Sequence, residues 1–323
     1  MNKDQFKAIC RKSQDELKSY VVTKLKKHYD KIHLSKDFVY AEGSVPICLV
    51  AHMDTVHKES PKTFVFEGDK ISSPQGIGGD DRCGVYAILQ IIQKHNCSVL
   101  FCCDEEIGGI GAQAFSHSSF AEKANFQYII ELDRKGKTDA VFYDCDNPDF
   151  TKFITSFGPW EEDYGSFSDI CFVAPAVGCA AVNLSVGYYN QHTLKEYVVP
   201  SEVDYCVDNV CALIEATTEK DDFEYIEADY TCSYGRGYYG SGYRDYRCKD
   251  YSAYEDYYGS YSDDYKDVYF IQYVGDDGKH KYAELEAFSR LEAVGKLMEM
   301  VPTLCYNNIF DIINESSYCA SSK

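Results

Sequence analysis

The chain has 323 residues, 45% of them hydrophobic and 26% charged, with a formal net charge of −20. That length supplies apolar material for one sizeable core and something smaller beside it. The acidic balance argues against a nucleic acid or an anionic membrane surface as partner, because phosphate binding needs clustered Lys and Arg that no segment carries. No apolar run approaches the roughly 20 residues of a membrane-spanning helix, and the polar start Met1-Asn2-Lys3-Asp4 has no apolar signal core behind it. The expectation is a soluble, cytoplasmic protein whose fifteen cysteines are reduced. No C-x-x-C occurs and Cys102-Cys103 are adjacent in an apolar run, so most of the thiols read as small core hydrophobes and not as a zinc site.

In chain order, residues 3–29 read as one packing helix, with Phe6, Ile9, Leu17, Val21, Val22 and Leu25 at roughly helical spacing. The run Val45-Pro46-Ile47-Cys48-Leu49-Val50-Ala51 has the apolar, β-branched character of a buried strand and ends in His52. Residues 84–92 continue apolar at helical length. A second buried strand covers residues 98–103 and runs into Asp104-Glu105-Glu106; a third covers residues 126–132 and ends in Asp133. Residues 180–185 read as the last strand, followed by a loop with His192. A helix is expected from Ser201, with Ser201 and Asp204 as a capping-box-like start and Val203, Val207, Val210 and Ile214 as its buried stripe.

Strands alternating with helices, each strand ending in polar residues, define an α/β domain with a mainly parallel central sheet flanked by helices, expected over residues 1–217. Ligands gather beyond the carboxyl ends of such strands. Residues 218–267 change to Tyr, Asp, Gly and Ser with almost no aliphatic side chain, a composition that buries little and reads as a low-complexity linker. Residues 268–323 read as a small α+β appendage: a strand over 268–274, a turn at Gly275-Asp276-Asp277-Gly278 and a helix from Tyr282 to Met300.

The polar residues at the strand ends form one set: His52 and Asp54 in Ala-His-Met-Asp-Thr-Val, Asp80 in Gly-Gly-Asp-Asp-Arg-Cys-Gly, Glu105-Glu106, Asp133, and His192 in Gln-His-Thr-Leu-Lys-Glu. Two imidazoles and three carboxylates match the needs of a pair of borderline-soft divalent ions, with one carboxylate between them. His52 and Asp133 are assigned to one ion, Glu106 and His192 to the other, and Asp80 to both. Glu105, directly before a ligand, is the candidate general base, and Asp54, two residues after His52, has the place of a carboxylate that orients that imidazole or, more simply, of a turn residue. Each piece alone has a bland reading as a surface pair, a helix cap or a structural histidine; their order along the chain and their placing after buried strands argue for metal.

These blocks resemble those of the co-catalytic zinc peptidases of the M20, M28 and M42 families, over about residues 1–215. His-x-Asp-Thr-Val, Asp-Asp-Arg-x-Gly and Asp-Glu-Glu-x-Gly carry the resemblance, with His192-Thr193 and Glu196 similar to the last ligand block. It implies an aminopeptidase-like fold with the same five ligands, a bridging Asp80 and Glu105 as the base. In the M20 and M42 families a lid domain is inserted between site blocks, and here neither gap is long enough, so the layout is similar to the lidless M28 group. Gly165-Ser166-Phe167-Ser168-Asp169 is loosely similar to a serine-aspartate block of that group. With no lid to supply an oxyanion donor, Tyr188 or Tyr189 is a candidate for that role, beside the reading that both only pack.

The expected function is metal-dependent hydrolysis of amide bonds, first as an aminopeptidase on short peptides, with zinc favoured and manganese or cobalt compatible. The same centre serves carboxypeptidases, dipeptidases and deacylases of acylated amino acids. Arg82 and Arg134 lie near ligands and are expected to pair with local Asp. A different class of reading is a non-catalytic binding protein that uses its tyrosine-rich segment as a protein-contact surface.

Overall fold

The structure, a computed structural model, describes residues 1–228, 267–274, 279–287, 296, 297, 300, 301 and 309–314. The chain divides into two compact units, residues 1–236 and 237–323. The tyrosine-rich stretch read as a linker lies, from residue 229 to 266, outside the described residues. Residues 218–228 belong to the first unit, where Phe223 donates its N–H to the Gln127 carbonyl and Tyr225 to that of Gly178.

The first unit opens with two helices, α1 (Lys3–Cys10) and α2 (Gln14–Leu25), where a single one was expected. The break is encoded locally: Ser13 caps α2 by accepting from the Glu16 N–H, and the Glu16 carboxylate accepts from the Ser13 N–H in return. The strands β1 (Ile32–Leu34), β2 (Phe38–Ala41) and β3 (Val45–His52) follow, then a small hairpin, β4 (Val65–Glu67) and β5 (Lys70–Ser72). Next come α3 (Gly79–Ile91), β6 (Cys97–Cys102), α4 (Ile110–Ser116), β7 (Tyr128–Arg134) and β8 (Asp139–Val141). The unit is completed by α5 (Pro148–Phe157), β9 (Glu161–Asp163), α6 (Ile170–Val177), β10 (Ala181–Ser185), β11 (Tyr188–Tyr189), β12 (Tyr197–Val198) and α7 (Pro200–Ala216).

The central sheet has the order β1-β2-β6-β3-β7-β10-β8-β9. It is mixed where a mainly parallel sheet was expected: β6, β3, β7 and β10 run parallel, while β2 and β8 join this block antiparallel on either side. Neither β2 nor β8 is more than four residues long, and such short strands carry little periodic signal. The central strands read as unbroken apolar runs because helices cover both faces. Ile47, Leu49 and Ala51 face one core with Ile130, Leu132, Val182 and Leu184, whereas Cys48 and Val50 face a second core with Ile129, Cys102 and Ala181. Buried residues of α1, α2, α3, α5 and α7 close the first core; those of α4 and α6 close the second. Each fully buried Leu, Ile or Phe contributes roughly 1.5–3 kcal/mol. The eleven described cysteines are free and ten of them are buried.

The stripe Val203, Val207, Val210 and Ile214 of α7 is buried as read, but its start is not a capping box. Pro200 opens the helix, where a missing N–H costs nothing, and the Asp204 carboxylate instead accepts from the α-ammonium group of Met1. Among the described residues no helix is long and apolar enough to cross a membrane.

In the second unit β13 (Asp267–Val274), β14 (His280–Ala287) and β15 (Ile309–Asn314) form an antiparallel sheet of order β14-β13-β15. The expected helix from Tyr282 is therefore a strand over its first residues. Ala283 and Leu285 lie opposite Ile271 and Tyr269, a two-residue alternation that fits a hairpin partner better than a helix face. Lys296, Leu297 and Met300 are helical, and the remainder of the expected helix lies outside the described residues.

Candidate metal centre

Strand order alone brings the site together. Because β6, β3 and β7 are adjacent and parallel, their carboxyl ends place Glu105-Glu106, His52 and Asp133 side by side, one strand spacing apart. Asp80 reaches in from the start of α3 and His192 from the loop after β11. Both of these segments carry non-helical backbone: Asp80 (φ −80°, ψ 104°) and Asp81 (φ −115°, ψ 45°), joined by a cis peptide, precede the regular turns of α3, and His192 has φ +61°. Asp104, just before Glu105, also has a positive φ of 58° and is clamped by Gln14, whose side-chain oxygen accepts from the Asp104 N–H and whose amide donates to its carboxylate.

All seven residues singled out in the sequence converge. Asp80 lies between the two imidazoles, its Oδ1 3.0 Å from His52 Nε2 and its Oδ2 3.1 Å from His192 Nε2. Asp133 Oδ1 is 3.5 Å from His52 Nε2, and Glu106 Oε2 is 3.0 Å from His192 Nε2. The two groups His52, Asp80, Asp133 and Asp80, Glu106, His192 thus share one carboxylate, and each holds its ligand atoms within 4.8 Å of one another. Glu105 stands beside them with Oε2 3.9 Å from His52 Nε2. Asp54 accepts from His52 Nδ1 at 3.0 Å and from the backbone N–H groups of Glu105 and Glu106, both at 3.0 Å.

The electrostatics show how much negative charge is packed here. Burial raises the Asp133 carboxyl to about 7, with the Asp80 charge adding to it. Burial also pushes Glu105 well above the usual carboxylate range, reinforced by Asp133, Asp169 and Glu106, and raises Glu106. For the imidazoles burial acts downward, but Asp133 and Asp54 outweigh it at His52, and Asp80 and Glu106 outweigh it at His192, which is held at about 11. Carboxylates that raise both imidazoles against the effect of burial make a pocket that favours positive charge. Glu106 Oε1 is buried without a hydrogen-bond partner, an oxygen with capacity left for one more ligand. Two imidazole nitrogens and several carboxylate oxygens, with His52 and Asp80 buried, form a donor set that could hold a pair of divalent metal ions.

A supporting layer holds Asp133. Its N–H donates to Asn183 Oδ1, and Asn183 Nδ2 donates to the Asp133 carbonyl; Ser168 and Tyr188 hydroxyls donate to its two carboxylate oxygens at 3.3 and 3.2 Å. The loosely matched Ser168 is therefore in contact with the site, and Asp169 beside it is fully buried, raised to about 7 by that burial. Tyr188 spends its hydroxyl on Asp133 and Tyr189 donates to Glu202 at 2.6 Å, so the hydroxyls of both candidate oxyanion donors are engaged by carboxylates. Arg134 pairs with Asp163 (2.6 Å) and Asp139 (3.4 Å) as expected. Arg82 does not pair with Asp: its guanidinium donates to the carbonyls of Ile9 and Lys12 at the end of α1. Sequence reasoning also passed over Gln14, His57, Asn183 and Tyr143, whose hydroxyl accepts from Asn183 Nδ2 at 3.1 Å; none of the four stands in a chemically suggestive run.

No protein-family model and no curated protein matches the chain. Solved structures do. The chain is similar to a PepT aminopeptidase from Bacillus cereus (TM-score 0.52, 15% identity, 66% of this chain and 96% of that one). It is also similar to aminopeptidase APDkam598 from the archaeon Desulfurococcus kamchatkensis (0.53, 16%, 68% and 95%) and to a tripeptidase from Staphylococcus aureus (0.51, 13%, 66% and 96%). At these identities the likeness shows the fold alone: an α/β architecture with a mixed central sheet flanked by helices, as in these aminopeptidase structures.

Proposed function

We propose that the chain is a two-metal amide hydrolase, and that it acts as an aminopeptidase on short peptides. The observation that carries this reading is Asp80, with one carboxylate oxygen toward each imidazole and Glu105 beside the pair. In this reading His52 and Asp133 would hold one ion, Glu106 and His192 the other, and Asp80 would contribute to both, with zinc the ion best suited to the donor set. Such a pair of ions supplies Lewis acidity, polarising a carbonyl and making water acidic enough to lose a proton near neutral pH.

The protein's own part is to hold geometry and move that proton. Asp54 fixes the His52 tautomer through Nδ1, so that Nε2 faces the centre, and the same carboxylate ties down the backbone of Glu105 and Glu106. Glu105, buried and with its carboxyl raised, accepts the proton from attacking water and returns it to the departing amine nitrogen. The lining is acidic, which suits a substrate with a free α-ammonium group. None of the three described arginines of the first unit offers its guanidinium to a substrate carboxylate: Arg134 is engaged by Asp163, Arg82 by backbone carbonyls, and Arg11 lies over the Phe64 ring. That favours an aminopeptidase over a carboxypeptidase.

The test is a panel of matched peptides with free amino termini, acylated amino termini or blocked carboxyl termini, given to zinc-loaded protein. Cleavage of the free-amine peptides, including those with blocked carboxyl termini, is expected. Cleavage that requires a free carboxyl terminus or an acylated amine would overturn the aminopeptidase reading.

A further inference from the structure

Behind the candidate ligands lies a buried pair that neither ligand chemistry nor the core explains. Glu196, fully buried, accepts from three donors: His57 Nε2 at 2.7 Å, the Gly78 N–H at 2.9 Å and the Asp80 N–H at 3.0 Å. Its two oxygens divide the work, Oε2 taking His57 and Gly78 and Oε1 taking Asp80. A second, independent feature is the backbone around it. Gly76 has φ +84°, and a Cβ there would sit 2.2 Å from His57 Nδ1; a Cβ on Gly79 would come within 2.8 Å of Tyr188 Cβ and Val198 Cγ2 and 3.3 Å of Glu196 Oε1. The 76–80 segment is thus built to close on this pair, and side chains there would force it open.

Position in the chain gives the contact its meaning. Glu196 follows His192 by four residues in a turn closed by its own N–H donating to the Thr193 carbonyl, while its carboxylate grips the segment that presents Asp80. The Asp80 backbone is off-helix, so no helical hydrogen bond fixes its N–H, and Glu196 supplies the acceptor instead. We propose that Glu196, braced by His57, is a positioning residue that locks the Asp80 and His192 segments into one rigid unit and so sets the spacing of the two ion sites. This inference rests on the two-metal reading of the centre.

The experiment uses the full chain and zinc alone, titrated against a competing chelator, with cobalt absorption spectra as the readout of ligand geometry. Glu196→Gln keeps the shape but loses the charge and one acceptor; Glu196→Asp keeps the charge on a shorter arm; His57→Gln weakens the brace. If Glu196 positions the Asp80 and His192 segments, Glu196→Gln loses 10- to 100-fold in affinity for at least one of the two ions, roughly the range carboxylates behind metal ligands carry. The cobalt bands are expected to shift, with partial recovery in Glu196→Asp and a smaller loss in His57→Gln. Wild-type zinc affinities and cobalt spectra in Glu196→Gln would overturn the inference, as would wild-type values in His57→Gln should Glu196→Gln not fold. A wild-type chain that binds fewer than two zinc ions contradicts the two-metal reading itself, an outcome distinct from either.

Discussion

The Asp54 carboxylate holds the His52 imidazole through Nδ1 at 3.0 Å, two residues further along the chain and just past the end of β3. The same two oxygens accept the N–H groups of Glu105 and Glu106, so one carboxylate orients a ligand from β3 and the loop beyond β6 together. Asp54→Ala releases all three donors. The expected result is a 10- to 100-fold loss of zinc affinity, the usual cost of removing a carboxylate behind a metal-bound imidazole, measured by competition with a chelator. Retained affinity would return Asp54 to the role of a turn residue.

Gly84 gives a prediction whose sign opposes helix propensity. It lies within α3, where alanine ordinarily gains about 1 kcal/mol over glycine. A Cβ at this position, however, would stand 2.0 Å from the Leu132 carbonyl oxygen of β7 and 2.5 Å from Asp81 Oδ2. Gly84→Ala is expected to destabilise the protein by about 1–3 kcal/mol, as overpacking does, and urea unfolding checks it. An alanine variant as stable as wild type would mean that α3 and β7 do not approach so closely.

Asp169 sets a pH dependence that does not need turnover. Burial holds its carboxyl at about 7, whereas an unfolded aspartate titrates near 4. Between these values the folded chain keeps a proton that the unfolded chain has lost, so this group's contribution to stability falls as pH rises from about 4 to 7 and is level above that. Asp169→Asn removes the slope. The melting temperature of metal-free Asp169→Asn, relative to wild type, is expected to rise between pH 4 and pH 7.5; a difference that does not change with pH contradicts it.

Much of this was legible in the sequence because the central strands are buried on both faces and end in polar residues. The runs ending in His52, Glu105-Glu106 and Asp133 gave both the parallel block and the chemistry at its edge. The lateral strands β2 and β8 were not legible, being at most four residues long, so the mixed character of the sheet went unread. The break between α1 and α2 was written in Ser13 and Glu16 but hidden under a continuing apolar stripe. Asp204 resembled a cap partner, and only the chain start, more than two hundred positions away, decided otherwise. His57, Asn183 and Gln14 touch the site through contacts between distant segments, and no local pattern announces such contacts. At β14 the alternation in residues 281–286 competed with a helical reading, and pairing with β13 settled it.

The most direct test of the central claim pairs turnover with metal content in Glu105→Gln, on zinc-loaded protein and a free-amine peptide. The two-metal reading with Glu105 as base predicts two bound zinc ions in both proteins and a loss of kcat of about 10²- to 10⁴-fold in the variant, the range a general base contributes. A Glu105→Gln protein that holds both ions and still turns over at the wild-type rate would contradict it.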